Sequence, residues 1–299
     1  MSKEHNHDHN HVIRSKFEEA FSAFEAVPSM EEVQEIVRKL IDTHYDELNN
    51  SKTIKFLHSA IDLTSLGSED NQDKIFNFVK GVNDLDDTNP TIPPVASICV
   101  YPNFAKIVKE SLMVDDVHVC CVSGSFPSSQ TFTEVKVAET SLALQDGADE
   151  IDIVLHIGNF MSGDYQSVTD EIEELREVTK GHILKVILET GALKTTDSIQ
   201  RASILSLFSG ADFIKTSTGK GYPGATLEAA YVMCHVLKQY YEKYGVKRGF
   251  KASGGIRTVD EAIKYLCVVK GVLGDEWMTN ELFRIGASSL EADLLKSLS

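Results

Sequence analysis

The stretch Ala211-Asp212-Phe213-Ile214-Lys215-Thr216-Ser217-Thr218-Gly219-Lys220 combines a clear fold signal with an unusual charge. It follows a helix-like run that ends at Ser209-Gly210, and its first half is typical of a short buried strand. A lysine is unexpected in such a strand, because a buried charge is costly unless it is paired. Hydroxyl groups, a glycine and a second lysine follow directly. The strand is therefore predicted to end at a polar site.

Strands of this kind alternate with helical patterns from about residue 52 onward. Strand candidates are Ser59–Leu63, Ala96–Tyr101, Val117–Val122, Glu150–Leu155, Ile183–Leu188, Ala211–Ile214, Gly249–Ala252 and Phe283–Gly286. Helical patterns between them include Thr131–Leu144, Tyr165–Thr179, Ser198–Leu207, Leu227–Tyr241 and Val259–Leu266. Eight strands alternating with helices predict an α/β fold, a (β/α)8 TIM barrel. A doubly wound sheet is the alternative, but no G-x-G-x-x-G motif is present to favour it.

The chain is expected to divide into three parts. Residues 1–12 are rich in histidine and asparagine and are predicted to form a disordered leader. Residues 13–51 show helical spacing, with Ser29 as a plausible helix cap ahead of Glu32, and are predicted to form an N-terminal helical extension. Residues 52–299 are predicted to form the barrel domain.

Composition excludes several classes of partner. The 299 residues carry a formal net charge of −16, which argues against nucleic acid or an anionic membrane surface. No apolar run approaches the ~18 residues of a membrane span. The five cysteines include no CxxC pair and mostly lie in apolar runs, as expected for reduced cysteines of a cytoplasmic protein.

Several ionisable side chains fall within the strands and share faces that a barrel would turn inward. Alternate residues of a barrel strand face the interior. This pattern places Lys215 and Lys251 on adjacent strands and brings further polar side chains into the same interior: Asp152, Lys185, Asp62 and Cys99. A single strand-end charge usually reaches water or pairs with a neighbour, but a set at the carboxyl ends of barrel strands indicates chemistry.

The two lysines are expected to perturb each other. Side chains on neighbouring strands can lie ~5 Å apart. At an effective dielectric constant of about 20 their repulsion is about 3 kcal/mol, and desolvation acts in the same direction. Asp152 opposes both effects. One amine is therefore expected to be partly neutral near neutral pH, as nucleophilic attack on a carbonyl requires.

Glycines and hydroxyls after the last three strands suit a phosphate site. Gly219 allows close backbone approach, Gly254-Gly255 follows the seventh strand, and Ser288-Ser289 follows the eighth at the start of a helix. Lys220 and Arg257 could add positive charge. Each glycine pair alone also suits an ordinary turn, but the repetition after successive strands favours phosphate.

The segments GADEIDIVLHIG, LKVILETGALK, GADFIKTSTGK, GFKASGGIRT and FRIGASS closely resemble the deoxyribose-phosphate aldolase family. The resemblance runs from about Ile61 to Leu298. It implies a class I aldolase of deoxyribonucleoside catabolism that uses no metal or other cofactor. Such an enzyme reversibly cleaves 2-deoxy-D-ribose 5-phosphate to acetaldehyde and D-glyceraldehyde 3-phosphate, so its partners would be a phosphorylated sugar and aldehydes. Homodimers or homotetramers are also implied.

The resemblance also implies residue roles. Lys215 would form the Schiff base, Lys251 would be the second lysine, and Asp152 would relay protons. Gly219, Gly254, Gly255, Ser288 and Ser289 would line the phosphate site, and Cys99, Lys185 and Asp62 match positions near the substrate. The chain departs from the family pattern in GFKASGG, where many members have GFKPAGG, and in VLHIGNF after Asp152.

Two other functions stay open at this point. The chain could be another Schiff-base or phosphate-binding barrel enzyme, such as a transaldolase-like one, or a catalytically silent sugar-phosphate binder. The presence of both lysines and the aspartate favours catalysis, although the barrel fold alone decides nothing about function.

Overall fold

Eight parallel strands close into a barrel in the computed structural model of the chain, which describes residues 16–299. The strands are β1 (Ile61–Thr64), β2 (Ser97–Val100), β3 (His118–Ser123), β4 (Glu150–Val154), β5 (Ile183–Ile187), β6 (Phe213–Lys215), β7 (Gly249–Ser253) and β8 (Phe283–Ala287). Neighbours in sequence are neighbours in the barrel, and β8 closes it by pairing with β1. The predicted (β/α)8 barrel is confirmed. The predicted leader, residues 1–12, and the first residues of the extension lie outside the described residues.

Helices pack outside the strands. They are α1 (Met30–Leu48), α2 (Ser51–Ser59), α3 (Gln72–Thr88), α4 (Ala105–Ser111), α5 (Thr133–Gln145), α6 (Ile157–Met161), α7 (Tyr165–Val178), α8 (Thr190–Leu193), α9 (Thr196–Phe208), α10 (Leu227–Tyr244), α11 (Val259–Leu273) and α12 (Leu290–Leu298). Helix α11 runs past its predicted end at Leu266. Residues 267–269 continue its buried side, but they are apolar throughout and show no helical period in the sequence.

The core has two zones that follow from alternation along each strand. In β4, Ile151 and Ile153 face the helices and join the main apolar core. Asp152 lies between them in sequence and therefore faces the barrel interior. All three are buried, because a parallel barrel strand is covered on both faces. The sequences of the strands are therefore mostly apolar, with individual polar residues at positions that face the barrel interior.

The N-terminal extension lies along the outer helices. Residues 16–22 are helical, and the rings of Phe17 and Phe21 meet the ring of Tyr165 on α7. Helix α1 begins with the capping box predicted from Ser29 and Glu32. It packs closely on α11, where a Cβ at Gly271 would lie 2.5 Å from the Leu40 side chain.

The predicted boundary between residues 51 and 52 falls at the start of α2. The division into an extension and a barrel domain stays a prediction.

Within residues 16–299, no helix is both long enough and apolar enough to cross a membrane.

Candidate active site

A cluster of buried charges fills the barrel interior. Strand pairing sets Asp152 beside Lys185 and Lys215 beside Lys251, so the inward residues of β4 to β7 meet. Strands β1 and β8 complete the cluster. Its members are all buried: Asp62, Glu150, Asp152, Lys185, Lys215, Lys251 and Arg284. We refer to these seven side chains as the ion cluster.

Asp152 is the centre of the ion cluster. Its Oδ2 accepts hydrogen bonds from Nζ of Lys215 at 2.9 Å and from Nζ of Lys251 at 2.8 Å. Its Oδ1 accepts from Nζ of Lys185 at 3.0 Å. Burial raises the pKa of Asp152, but the three lysines lower it by more, and the net pKa lies well below the usual range. Asp152 is therefore a carboxylate that holds three amines in place.

Lys251 contacts a second carboxylate that the sequence did not associate with it. Its Nζ lies 2.5 Å from Oδ2 of Asp62 in addition to its contact with Asp152. Burial lowers the pKa of Lys251, yet the two carboxylates raise it by more, so the net pKa is higher than usual. Repulsion does not dominate because both amines bind one carboxylate oxygen, which places negative charge between them.

Charge balance distinguishes Lys215 from the other cations. Apart from His118, which contacts Glu150 at the opposite end of the barrel, the ion cluster holds four cations and three carboxylates. Lys185, Lys251 and Arg284 each contact at least two carboxylates. Among the described residues, Lys215 contacts Asp152 alone. Lys215 is thus the cation of the ion cluster with the fewest carboxylate partners.

Sequence reasoning missed Glu150 and Arg284. Arg284 donates to Asp62 at 2.7 Å and to Glu150 at 2.9 Å, and Lys185 also donates to Glu150. Burial raises the pKa of Glu150, but Lys185, His118 and Arg284 lower it to about 2. Glu150 lies two residues before Asp152 on the same strand, so the alternation that identified Asp152 also predicts that Glu150 faces the barrel interior. Arg284 lies between Phe283 and Ile285, so the same alternation also marked it as inward-facing.

A pocket of about 450 Å³ opens above the ion cluster. Lys215 reaches it and is the one member of the ion cluster among its lining residues. Seven other predicted site residues line the same pocket: Gly219, Lys220, Gly254, Gly255, Arg257, Ser288 and Ser289. Five lie beneath it, fully buried: Asp62, Cys99, Asp152, Lys185 and Lys251.

One wall of this pocket is suited to bind an anion. Five amide N–H groups there donate to no acceptor within residues 16–299, those of Gly219, Gly254, Gly255, Ser288 and Ser289. The last two precede α12, whose first turn receives no side-chain cap. Gly254, at φ 89°, passes so close to Gly224 that a Cβ at Gly224 would overlap the Gly254 carbonyl oxygen. Free amides and the start of a helix form a concave surface for negative charge.

The interior also contains two groups of potential metal ligands. They are Cys99, Cys120 and Asp152, and Asp62, Cys120 and Glu150. The carboxylates of both groups are already hydrogen-bonded to buried lysines or arginine. A divalent ion would add charge to an ion cluster that is already positive, so these donor sets do not fit a metal.

The sequence is similar to those of known aldolases. The sequence model of the DeoC/LacD family aldolase matches residues 56–296. A Caenorhabditis elegans protein provisionally named deoxyribose-phosphate aldolase is 44% identical, over 84% of this chain and 83% of that protein. The deoxyribose-phosphate aldolases of Mus musculus and Homo sapiens are each 36% identical over 80% of this chain and 78% of theirs.

Solved structures show the same architecture. A crystal structure from Coccidioides immitis, of a protein provisionally given the same name, superposes with a TM-score of 0.70 at 28% identity. The match covers 90% of this chain and 97% of the other. The likeness in sequence and in fold extends over the whole barrel, and this chain belongs to the DeoC/LacD family of aldolases.

Proposed function

We propose that this chain reversibly cleaves 2-deoxy-D-ribose 5-phosphate to acetaldehyde and D-glyceraldehyde 3-phosphate, in deoxyribonucleoside catabolism. The observation that carries the proposal is Lys215. It is the buried cation that reaches the pocket, it has the fewest carboxylate contacts, and free amides line the wall beside it. The names of the mouse and human relatives support this substrate.

The covalent step uses Lys215 as the nucleophile. Its neutral amine attacks C1 of the open-chain sugar and loses water to form an iminium ion. The bond between C2 and C3 then breaks as the C3 hydroxyl passes its proton through a bound water to Asp152. The bonding electrons pass to the iminium, which becomes an enamine, and D-glyceraldehyde 3-phosphate leaves. Protonation of the enamine carbon and hydrolysis release acetaldehyde and restore the amine.

Lys251 and Asp152 are proposed to transfer protons from the C3 hydroxyl and to the enamine carbon. Lys251 keeps its proton and lies on the same carboxylate oxygen as Lys215, so it can act as an acid through a bound water. Asp152 is ionised at rest and holds both amines. It takes the C3 hydroxyl proton through water and returns it to Lys251 once Lys251 has protonated the enamine carbon. Asp62 and Lys185, predicted near the substrate, lie under the pocket floor and act by holding Lys251 and Asp152. Cys99 lies in the same buried layer.

The phosphate group is proposed to bind the wall of free amides, with Lys220 and Arg257 adding positive charge. Lys220 Nζ now donates to the carbonyl oxygen of Leu66 at 2.7 Å, across the pocket. Phosphate held away from the reacting carbons orients the sugar, and its binding energy supports catalysis.

No metal or other cofactor is part of the proposal, because the iminium itself accepts the electrons. A homodimer or homotetramer is proposed as the assembly, supported by exposed apolar side chains such as Phe132 and Leu142 at and along α5. The cytoplasm is proposed as the compartment, supported by five cysteines that are all free and buried. The contacts among Lys215, Lys251 and Asp152 argue against a silent binder. The relatives' names argue against a transaldolase-like reaction.

Two measurements test the proposal. The protein should release aldehyde from 2-deoxyribose 5-phosphate at the same rate with and without EDTA. Borohydride added with acetaldehyde should trap a covalent adduct on Lys215, located by peptide mass spectrometry, and Lys215→Ala should abolish both signals. An adduct on another lysine, or no adduct, would count against the assignment.

A further inference from the structure

Glu189 is a buried carboxylate that the proposed reaction does not use. It follows β5, and its side chain is 1% exposed. Its backbone is left-handed, at φ 56° and ψ 60°, a conformation uncommon for residues other than glycine. Such conformations persist only where the surrounding structure holds them, and they concentrate at functional sites.

Both oxygens of this carboxylate hold Thr218. Oε1 accepts from the Thr218 amide at 3.1 Å, and Oε2 accepts from the Thr218 hydroxyl at 2.5 Å. The hydroxyl in turn accepts from the amide of Lys220 at 3.0 Å. The amides on either side of Gly219 are thereby occupied, while that of Gly219 has no acceptor within the described residues and lies at the pocket.

The turn that carries Glu189 touches the same loop at two other points. The Thr190 amide donates to the carbonyl oxygen of Thr216 at 2.9 Å. A Cβ at Gly191 would lie 2.5 Å from the carbonyl oxygen of Pro223, so the turn packs directly on the chain beyond the loop. The turn therefore contacts the chain at Thr216 and Thr218 and again at Pro223, just past residues 216–221.

We propose that Glu189 is a positioning residue that fixes residues 216–221 in their anion-binding shape and so sets the preference for phosphorylated over unphosphorylated sugars. The inference rests on the proposed function. Burial raises the pKa of Glu189, while the two hydrogen bonds from Thr218 favour its ionised form. An ionised acceptor makes stronger hydrogen bonds than a neutral one, so the charge of Glu189 is tested as well as its shape.

The test compares 2-deoxyribose 5-phosphate with 2-deoxyribose as substrates of Glu189→Gln. The amide keeps the size of the side chain but removes the charge and turns an N–H toward a Thr218 donor. The ratio of kcat/KM for the two substrates should fall about tenfold or more, mainly through KM of the phosphorylated sugar. An unchanged ratio, as an equal loss on both substrates would produce, overturns the proposal.

Two further variants supply a matched control and a second substitution in the same contact. Glu177→Gln, at an exposed position of α7, is the matched control and should leave the ratio as it is. Thr218→Val removes the hydroxyl but keeps the amide, and should lower the ratio in the same direction. If Glu189→Gln fails to fold, Thr218→Val carries the test alone. The effects of the two changes should not add in the double variant.

Binding of inorganic phosphate separates this inference from the proposed function. If the wild-type protein cleaves neither sugar, the proposed function fails, and calorimetry with phosphate still tests the loop. Glu189→Gln should weaken phosphate binding about tenfold. Equal affinity in the two proteins overturns the role of Glu189.

Discussion

At the scale of single residues, Lys251 matters through the charge it adds to the ion cluster. It contacts Asp62 and Asp152 and keeps its proton, since these carboxylates outweigh the effect of burial. With Lys251 present, the ion cluster has one cation more than carboxylates. Lys215, with its single carboxylate contact, is the cation of the ion cluster with the fewest carboxylate partners.

Lys251→Leu should therefore shift the pH dependence of catalysis. Removal of one cation leaves three cations and three carboxylates, so the excess positive charge beside Lys215 is lost. The rise of kcat/KM with pH should move to higher pH, and activity at neutral pH should fall by roughly 10²-fold or more. A profile that stays in place would contradict the coupling. Lys180→Leu, at an exposed position, is the control.

At the scale of elements, the exits of β6 and β7 meet backbone to backbone. Gly254 and Gly255 both have left-handed backbones, at φ 89° and 86°. Only the first is crowded: a Cβ at Gly254 would lie 2.9 Å from Cα of Gly224, whereas one at Gly255 would meet nothing within 4 Å. Substitutions at these two glycines therefore distinguish the effect of backbone strain, which both share, from the effect of the contact between loops, which only Gly254 makes.

Gly254→Ala should therefore impair the enzyme more than Gly255→Ala. Both changes place a side chain in a left-handed conformation, which costs on the order of 1 kcal/mol. Gly254→Ala also pushes apart the two loops that carry the free amides. KM for the phosphorylated sugar should rise about tenfold more in this variant than in Gly255→Ala. Steady-state kinetics alongside thermal melting would measure both effects, and equal values of KM would show that the contact with Gly224 is unimportant.

Strand positions and the inward lysines could be predicted because each depends on local alternation. Asp152 between two isoleucines and Lys215 after Phe213 and Ile214 are visible in a few residues of sequence. The partners of these charges could not be predicted in the same way. Arg284 binds Asp62 across 222 positions, and Lys220 reaches Leu66 across 154. The oxygen of Asp152 that both lysines share also depends on barrel geometry rather than on local sequence.

At the scale of the whole molecule, the N-terminal extension stabilises the barrel from outside. Phe21 is buried, its ring centroid lies 5.3 Å from that of Tyr165, and the Arg201 guanidinium lies 4.6 Å from the same ring. Neighbouring Glu25 exchanges hydrogen bonds with Gln239 on α10 and Gln200 on α9. None of these residues lines the pocket.

Phe21→Ala should therefore lower stability without changing catalysis. Loss of a buried aromatic ring costs about 3 kcal/mol, so the thermal midpoint should fall while kcat and KM stay constant. Phe76→Ala is the control, because that ring is 49% exposed and its loss should cost less than about 1 kcal/mol. A change in KM for Phe21→Ala would mean that the extension influences the pocket.

The ion cluster also divides the barrel into two unlike halves. Strands β1 to β4 supply only carboxylates, Asp62, Glu150 and Asp152, whereas β5 to β8 supply only cations, Lys185, Lys215, Lys251 and Arg284. Either half alone would enclose ion-cluster charges of one sign, a cost that only His118 beside Glu150 would offset, and only in the first half. The two halves are electrical complements. Two copies of the same half would repel where the real halves attract, so a duplicated half-barrel could not replace the intact chain.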